Sequence, residues 1–236
     1  MSGRLIQSLA LSAACLLAGT VFAQSVPASH DMAARVAACT TCHGREGRAT
    51  NSEYFPQLAG KPAGYLFEQL RNFRDGRRQQ TYMNGLLANM SDAYLHDIAE
   101  YFASLDYPYS PPPASSAPSL QLARGKTLVF SGDPARGIPA CASCHGEALT
   151  GVLPSVPSLL GLPRAYVAAQ LGAWVTGQRR AIAPDCMAEV GRKLNSEDVH
   201  AVVSWLEIQP VPVGNKPVAS LPTRPAMPCS AMETHP

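Results

Sequence analysis

Two short stretches of the chain carry the same residues at the same spacing. The first, ACTTCHG, covers residues 38–44, and the second, ACASCHG, covers residues 140–146. Each has two cysteines three positions apart and a histidine directly after the second cysteine. Thiols and imidazoles in this arrangement suit three kinds of chemistry: a zinc site, a thiol–disulfide redox pair, or covalent attachment of a c-type haem.

Attachment of haem is the interpretation that uses every residue of both motifs. A zinc site made from two C-x-x-C pairs leaves His43 and His145 without a role. A redox pair needs a strand before the motif, and no β-branched segment precedes either one. In haem attachment the two thiols form thioethers, and the adjacent histidine becomes an axial ligand of the iron. The sequence therefore predicts two covalently attached c-type haems, held by Cys39, Cys42, His43, Cys141, Cys144 and His145.

An internal repeat indicates the second axial ligand of each iron. The segment from Phe55 to Arg78 aligns with 156–179, so that Pro56 matches Pro157 at an offset of 101 residues. Further on the offset is 104 residues, and there Met83 matches Met187. A thioether sulfur is a soft ligand that suits haem iron.

Other roles for these methionines, and other ligands, stay open at the sequence level. Each methionine could instead fill a gap in a core. In the first copy Met90 and Met32 are rivals for ligation, and in the second copy Cys186 is one. The aligned pair His96 and His200 lies within the last predicted helix of each copy, where an exposed position is expected.

The pattern of apolar residues and helix-terminating residues predicts an all-α fold. Each copy should form about three helices wrapped around its haem, with no convincing strand. First helices are expected at about residues 31–38 and 119–130. Middle helices should follow Pro62 and Pro163 and end at Gly76 and Gly177. Last helices should begin after Ser91 and Asn195, with apolar faces formed by Leu95, Ile98, Ala99 and Phe102, and by Val199, Val202, Val203 and Leu206.

The chain divides into five predicted segments. Residues 1–23 resemble a secretory signal, with Arg4 before an apolar stretch and a small-residue cleavage site ending at Ala23. Residues 24–106 and 120–209 form the two haem domains. Residues 107–119, rich in proline, form a semi-rigid linker, and 210–236 form a tail expected to run over the surface. We therefore expect export to the periplasm, with cleavage after Ala23.

Composition narrows the range of partners. Charged residues make up only 15% of the chain and the net charge is +2, so no basic surface for nucleic acid is expected. Two cysteines, Cys186 and Cys229, lie outside the motifs and the signal. In an exported protein such a pair predicts a disulfide, which would join the tail to the segment that carries Met187.

These motifs together resemble the dihaem cytochromes c of the cytochrome c4 type. The resemblance rests on the paired C-x-x-C-H motifs, on the FPQLAG and YLFEQLRNFRDGRR segments, and on methionine before a last helix; it covers roughly residues 31–208. It implies two tandem cytochrome c domains related by a pseudo-twofold axis, with haem propionates near their interface. It also implies that Arg78 and Arg179 are candidates for propionate contact.

The resemblance implies an electron carrier with redox proteins as partners. Iron held between His43 and Met83, and between His145 and Met187, has no position left for a substrate. The expected function is relay of electrons from a quinol-linked complex or a periplasmic dehydrogenase to a membrane oxidase or a reductase, with no small-molecule substrate. Peripheral membrane association stays open. One alternative is a dihaem enzyme of the thiosulfate dehydrogenase or peroxidase kind, in which one iron keeps an open or labile position; Cys186 as a thiolate ligand would resemble the thiosulfate-oxidising kind. The other alternative is the cytochrome subunit of a larger dehydrogenase.

Overall fold

The computed structural model describes residues 31–49, 55–106, 109, 111–225 and 227–232. The predicted signal and its cleavage site at Ala23 lie outside these residues. The described part contains helices and isolated β-bridges but no strand, which confirms the all-α prediction. Its α-helices are α1 (Met32–Arg35), α2 (Ala37–His43), α3 (Ala63–Arg74), α4 (Thr81–Leu87), α5 (Asp92–Ser104), α6 (Ser119–Phe130), α7 (Ala142–His145), α8 (Arg164–Val175), α9 (Cys186–Lys193) and α10 (Ser196–Glu207). Short 3-10 turns cover Arg45–Gly47, Pro134–Arg136 and Ser230–Met232.

The first half is built around the packing of α3 on α5. All four residues of the predicted apolar face of α5 are buried: Leu95, Ile98, Ala99 and Phe102. They form one hydrophobic cluster with buried side chains from the other helices of this half, namely Val36, Leu66, Phe73 and Leu87. The period of apolar residues in α5 thus identified the helix face that faces the core.

The second half is built around the packing of α6 on α10. Gly125 of α6 lies where the two helices touch: a β-carbon there would collide with the carbonyl oxygen of Ala201 and would lie 2.7 Å from the β-carbon of Trp205. The absence of a side chain lets the two backbones approach closely. On α10, Val202, Val203 and Leu206 are buried as predicted, whereas Val199 is half-buried.

The helix ends follow the residues that predicted them, with small differences. Pro62 and Pro163 are the N-caps of α3 and α8, and Gly76 and Gly177 follow two residues after those helices end. Ser91 caps α5, and Asn195 forms a capping box with Asp198 at the start of α10. The first helix continues beyond Ala38 to His43, with a break at Val36.

Three helices were missed at the sequence level: the four-residue α7 and two others, which contain the two candidate methionines. Met83 lies in α4, where the Gln80 side chain accepts a hydrogen bond of 2.8 Å from the Met83 backbone N–H. Met187 lies in α9, where Asp185 accepts a bond of 3.0 Å from the Ala188 N–H. Because α4 and α9 have only seven and eight residues, their apolar period is too short to recognise, and the capping side chains were the available signal.

The tail runs over the surface with little regular structure, as predicted, but it is also attached to the second half. Val218 pairs with the second half, accepting from the Leu153 N–H at 2.9 Å and donating to the Gly151 carbonyl at 3.0 Å. Cys229 and Ser230 are buried, and Ser230 donates its N–H to the Pro184 carbonyl at 3.0 Å. Backbone hydrogen bonds and a buried cysteine attach the tail to this half, which proline content alone did not indicate.

Residues 111–118 of the linker have no regular secondary structure, as its prolines predicted. Tyr109, within the same predicted segment, packs its ring against Gly161. No described helix is both long enough and apolar enough to cross a membrane.

Candidate functional site

Each C-x-x-C-H motif ends a helix with its histidine held in one orientation. His43 ends α2 and His145 ends α7, and each is only 7% exposed. The Nδ1 atom of His43 lies 2.9 Å from the Pro56 carbonyl oxygen, and that of His145 lies 2.8 Å from the Pro157 carbonyl oxygen. A carbonyl oxygen only accepts, so Nδ1 carries the proton and Nε2 keeps its lone pair. This hydrogen bond is the usual outer partner of a metal-binding imidazole.

The surroundings keep both imidazoles neutral. Burial lowers the pKa of His43, and the positive charge of Arg78 lowers it further against the opposing effect of the Pro56 carbonyl. Burial likewise lowers the pKa of His145. The neutral form is the one that can bind iron.

A glycine directly after each histidine turns the chain back over the motif. Gly44 has φ of 76°, and a β-carbon there would collide with the backbone carbonyl of Ala49. The turn lets the Ala49 N–H donate to the His43 carbonyl at 2.8 Å, and Gly151 does the same for His145 at 3.0 Å. The two motifs are therefore positioned by equivalent bonds.

Three of the four motif cysteines have a raised thiol pKa, which is the opposite of what a redox-active or metal-bound thiolate needs. All four, Cys39, Cys42, Cys141 and Cys144, are free. Burial raises the pKa of Cys39 and Cys144, and raises that of Cys141 to about 11. A redox-active pair needs a lowered thiol pKa. Nor does the described part of the chain bring three or more Cys, His, Asp or Glu side chains together as a zinc site would require.

The two candidate methionines lie at equivalent positions, each in the short helix before the last helix of its half. Met83 is half-buried and packs on the same hydrophobic cluster as Cys39. Met187 is also half-buried, in α9, next to Cys186. The rival histidines are both exposed on their helices, and His96 lies 3.7 Å from Glu100. Met90 and Met32 are half-buried against the first cluster, as packing residues would be.

The predicted disulfide between Cys186 and Cys229 is present, and it joins residues 43 apart in sequence. This confirms the pairing inferred from the two cysteines left over outside the motifs. It also connects the tail to the first turn of α9, one residue from Met187. A sulfur held in a disulfide cannot serve as a thiolate ligand, so the disulfide disfavours the alternative of Cys186 ligation.

The two halves meet through a reciprocal pair of buried arginines. Arg78 and Arg179 form an antiparallel backbone bridge. Each guanidinium donates to a glutamine of its own half and to a glutamine and a tyrosine of the other half. The bonds run from Arg78 to Gln69 (2.9 Å), Gln170 (2.7 Å) and Tyr166 (3.2 Å), and from Arg179 to Gln170 (2.9 Å), Gln69 (2.9 Å) and Tyr65 (3.2 Å).

Aromatic rings complete this interface in the same reciprocal way. Arg78 lies 4.4 Å above the Phe73 ring, and Arg179 lies 3.9 Å above the Trp174 ring. The repeated pattern of contacts is what a local twofold axis between the halves produces. Tyr65, Gln69 and their repeats were visible in the alignment of the two copies, but their role at the interface was missed.

In the described part of the chain, the buried cations at the interface have no buried carboxylate as a partner. Arg78, Arg179 and Lys61 are 8%, 5% and 6% exposed, respectively. Among the described residues the one buried carboxylate is Asp198, which is paired with Arg124 and Arg136. Burial, and then the charge of Arg78, lowers the pKa of Arg179. Buried charges need counter-charges, so this cluster fits a group that brings its own acids, as a haem does with its propionates.

Comparison with known proteins identifies the family. No protein-family model matches the chain. Cytochrome c4 of Pseudomonas aeruginosa is 36% identical over 176 residues, which are 74% of this chain and 85% of the relative. The chain belongs to the cytochrome c4 family. The crystal structure of reduced recombinant cytochrome c4 from Pseudomonas stutzeri superposes with a TM-score of 0.64 at 32% identity, covering 74% of this chain and 94% of that one.

A second relative adds a named redox system. The thiosulfate dehydrogenase electron acceptor of Thiomonas intermedia is 36% identical over 175 residues, 74% of this chain and 80% of the relative. Family membership makes this chain a dihaem electron-transfer cytochrome with two covalently bound c-type haems in tandem cytochrome c domains, and redox proteins are its partners.

Proposed function

We propose that this cytochrome c4 is a periplasmic electron carrier with no substrate chemistry of its own. Export through residues 1–23, with cleavage after Ala23, would place it there. The haem domains would cover 24–106 and 120–209, joined by the linker 107–119 and followed by the tail 210–236. Two separate hydrophobic clusters, one in each half, support this division.

We assign the haem contacts residue by residue. Cys39 and Cys42 would form the thioethers of the first half, and Cys141 and Cys144 those of the second. His43 and Met83 would bind the iron of the first half, and His145 and Met187 would bind the iron of the second half. Two observations support the assignment: each imidazole is hydrogen-bonded to a carbonyl oxygen through Nδ1, and none of the four cysteines is in a disulfide.

When bound, each haem supplies a one-electron Fe(III)/Fe(II) couple. The residues of the chain orient the ligands, adjust the reduction potential and hold the two halves together. The Pro56 and Pro157 carbonyls hold the Nδ1 protons and keep each Nε2 directed as a ligand. Neutral thioether ligands and burial favour the reduced state and raise the potential. The Arg78–Arg179 interface holds the two halves in one arrangement, so that an electron can pass between them.

The observation that carries this proposal is the equivalent position of Met83 and Met187, each in a short helix directly before the last helix of its half. Two saturated irons suit a carrier, whereas an enzyme needs an open position. The disulfide at Cys186 supports the same conclusion because it removes the rival thiolate.

The test compares methionine variants of the purified protein by optical spectroscopy. The ferric protein should show the weak far-red band of iron–methionine ligation at full intensity for two haems, and the reduced protein should bind no carbon monoxide. Met83→Ala and Met187→Ala should each remove half of the band and admit one carbon monoxide. Met90→Ala is the matched control, since Met90 is also half-buried, and should change neither signal. A parent protein that binds carbon monoxide at one haem would instead support the enzyme.

A periplasmic thiosulfate dehydrogenase is the donor we propose, because a relative named as an electron acceptor of thiosulfate dehydrogenase is similar over most of its length. In stopped-flow experiments, the cytochrome mixed with such an enzyme and thiosulfate should be reduced far faster than the cytochrome mixed with the enzyme alone or with thiosulfate alone. Reduction only by a quinol-linked complex would assign the other donor class. Co-purification of the cytochrome with a larger catalytic chain would favour a subunit role.

Export can be tested separately. Amino-terminal sequencing of the protein purified from the periplasmic fraction should give Gln24 as the first residue.

A further inference from the structure

Lys61 is a buried cation whose role the proposed function leaves unexplained. It lies directly before Pro62, the N-cap of α3, and is only 6% exposed. Within the described residues its Nζ atom has no hydrogen-bond partner. An ammonium group carries three donors, and burying it unpaired is costly. The position therefore needs an acceptor that the described side chains do not supply.

The neighbours of Lys61 indicate what kind of acceptor is needed. Tyr65, one helical turn further on, accepts a hydrogen bond of 3.2 Å from Arg179. Burial alone would raise the pKa of Tyr65. The positive charges of Arg179, Arg78 and Lys61, in decreasing order of effect, outweigh burial, so the pKa of Tyr65 is lowered. Lys61 thus belongs to the group of interface cations, which attracts anions as a group.

Because of Lys61, the two halves contribute different numbers of buried cations to the interface. Arg78 and Arg179 are matched, so each half contributes one guanidinium. The counterpart of Lys61 in the repeat is Leu162, which is half-buried and uncharged. The first half therefore has one more buried positive charge at the interface than the second half.

We propose that Lys61 binds a propionate carboxylate of the haem attached to the first half and selectively raises that haem's reduction potential. This inference rests on the proposed attachment at Cys39 and Cys42. Reduction adds one negative charge, so a nearby cation favours the reduced state. At an effective dielectric constant of about 20, a unit charge about 10 Å away changes a one-electron equilibrium on the order of tenfold, or about 59 mV. Lys61 thereby biases a single electron toward the first half.

Redox titration with both haems resolved tests this on the intact protein. Lys61→Gln should lower one of the two reduction potentials by about 59 mV, which corresponds to a tenfold change in a one-electron equilibrium. The other reduction potential should change much less. Lys61→Arg should keep the parent values. Leu162→Lys, which adds the same charge to the second half, should raise the other potential. Lys126→Gln removes a charge from an exposed position and should shift neither.

The outcomes separate this inference from the proposed function. If the parent protein does not show two one-electron steps, the proposed function fails. If the parent shows both steps and Lys61→Gln moves neither, or moves both equally, the role of Lys61 is wrong while the carrier stands. Should the glutamine variant not assemble with haem, Lys61→Met, which keeps the side-chain length, gives the same measurement.

Discussion

Arg78 and Arg179 lie across a local twofold axis, and each donates to the same two glutamines, Gln69 and Gln170. Both glutamine oxygens therefore accept from both arginines, and neither half can complete this network alone. The network is complete only when the two halves are in contact.

Replacing Arg179 with glutamine should therefore lower the stability of the whole protein. The variant loses hydrogen bonds from a buried charged group, each worth about 1.5–3 kcal/mol, and the stacking on Trp174. We expect a loss of about 2–4 kcal/mol in the free energy of unfolding by urea. The neighbouring Arg180 is exposed, so Arg180→Gln is the control. Equal stability of the two variants would contradict a structural role for the interface.

The disulfide should stabilise both the second half and its iron ligation. Cross-linking residues 43 apart lowers the entropy of the unfolded chain, which corresponds to about 4 kcal/mol in the simplest treatment. A Cys186→Ser, Cys229→Ser double variant should lose up to that amount in urea unfolding. It should also lose part of the far-red band on mild heating, because α9 is freed from the tail. Full retention of the band up to the unfolding temperature would show that Met187 is held independently of the tail.

Acid should destabilise the second half through Asp198. This buried carboxylate lies 2.8 Å from Arg124 and 2.7 Å from Arg136. Burial would raise the pKa of Asp198, but the bonds from Arg124 and Arg136 outweigh it and lower that pKa. Because the folded pKa is below the unfolded value of about 3.9, the stabilisation is complete above that pH and is lost as pH falls further.

Asp198→Asn should accordingly cost about 1.5–3 kcal/mol at neutral pH, as expected for the loss of hydrogen bonds to a charged group. The difference from the parent protein should shrink as the pH of the unfolding measurement falls below about 4. Asp97→Asn removes a carboxylate with a side chain that is 51% exposed, 3.5 Å from Arg35, and should have little effect at any pH. A constant difference between Asp198→Asn and the parent protein across the acid range would contradict the ionic role of Asp198.

Two glycine-to-alanine changes in helices should have opposite effects. Gly125→Ala places a methyl group against the Ala201 carbonyl and the Trp205 side chain, so α6 and α10 must separate; we expect a loss of about 1–3 kcal/mol. Gly172→Ala in α8 has open space and should gain about 0.5–1 kcal/mol from helix propensity. Thermal unfolding of both variants checks the pair. Two changes of the same sign would contradict the close helix crossing.

Much of the fold could be predicted from periodicity and from single residues at helix ends. Ser91 and Asn195 marked the starts of α5 and α10 because a short polar side chain caps the backbone locally. The buried face of α5 followed from residues recurring at helical spacing. Helices α4 and α9 were missed because they are too short for that period. The Cys186–Cys229 disulfide of the tail was predicted, but the pairing of Val218 with Val152 was missed because it depends on contacts between residues far apart in sequence.

The sequence by itself determined the chemistry of this protein. C-x-x-C-H is a local motif, so its thiols and imidazole are adjacent whatever the rest of the chain does, and the repeat identified Met83 and Met187 as a pair. Tertiary structure alone decided which charges are buried together. Arg179 is 101 residues from Arg78 in the sequence. The burial of both arginines together with Lys61, without a buried carboxylate beside them among the described residues, arises when the two halves pack together and exclude water.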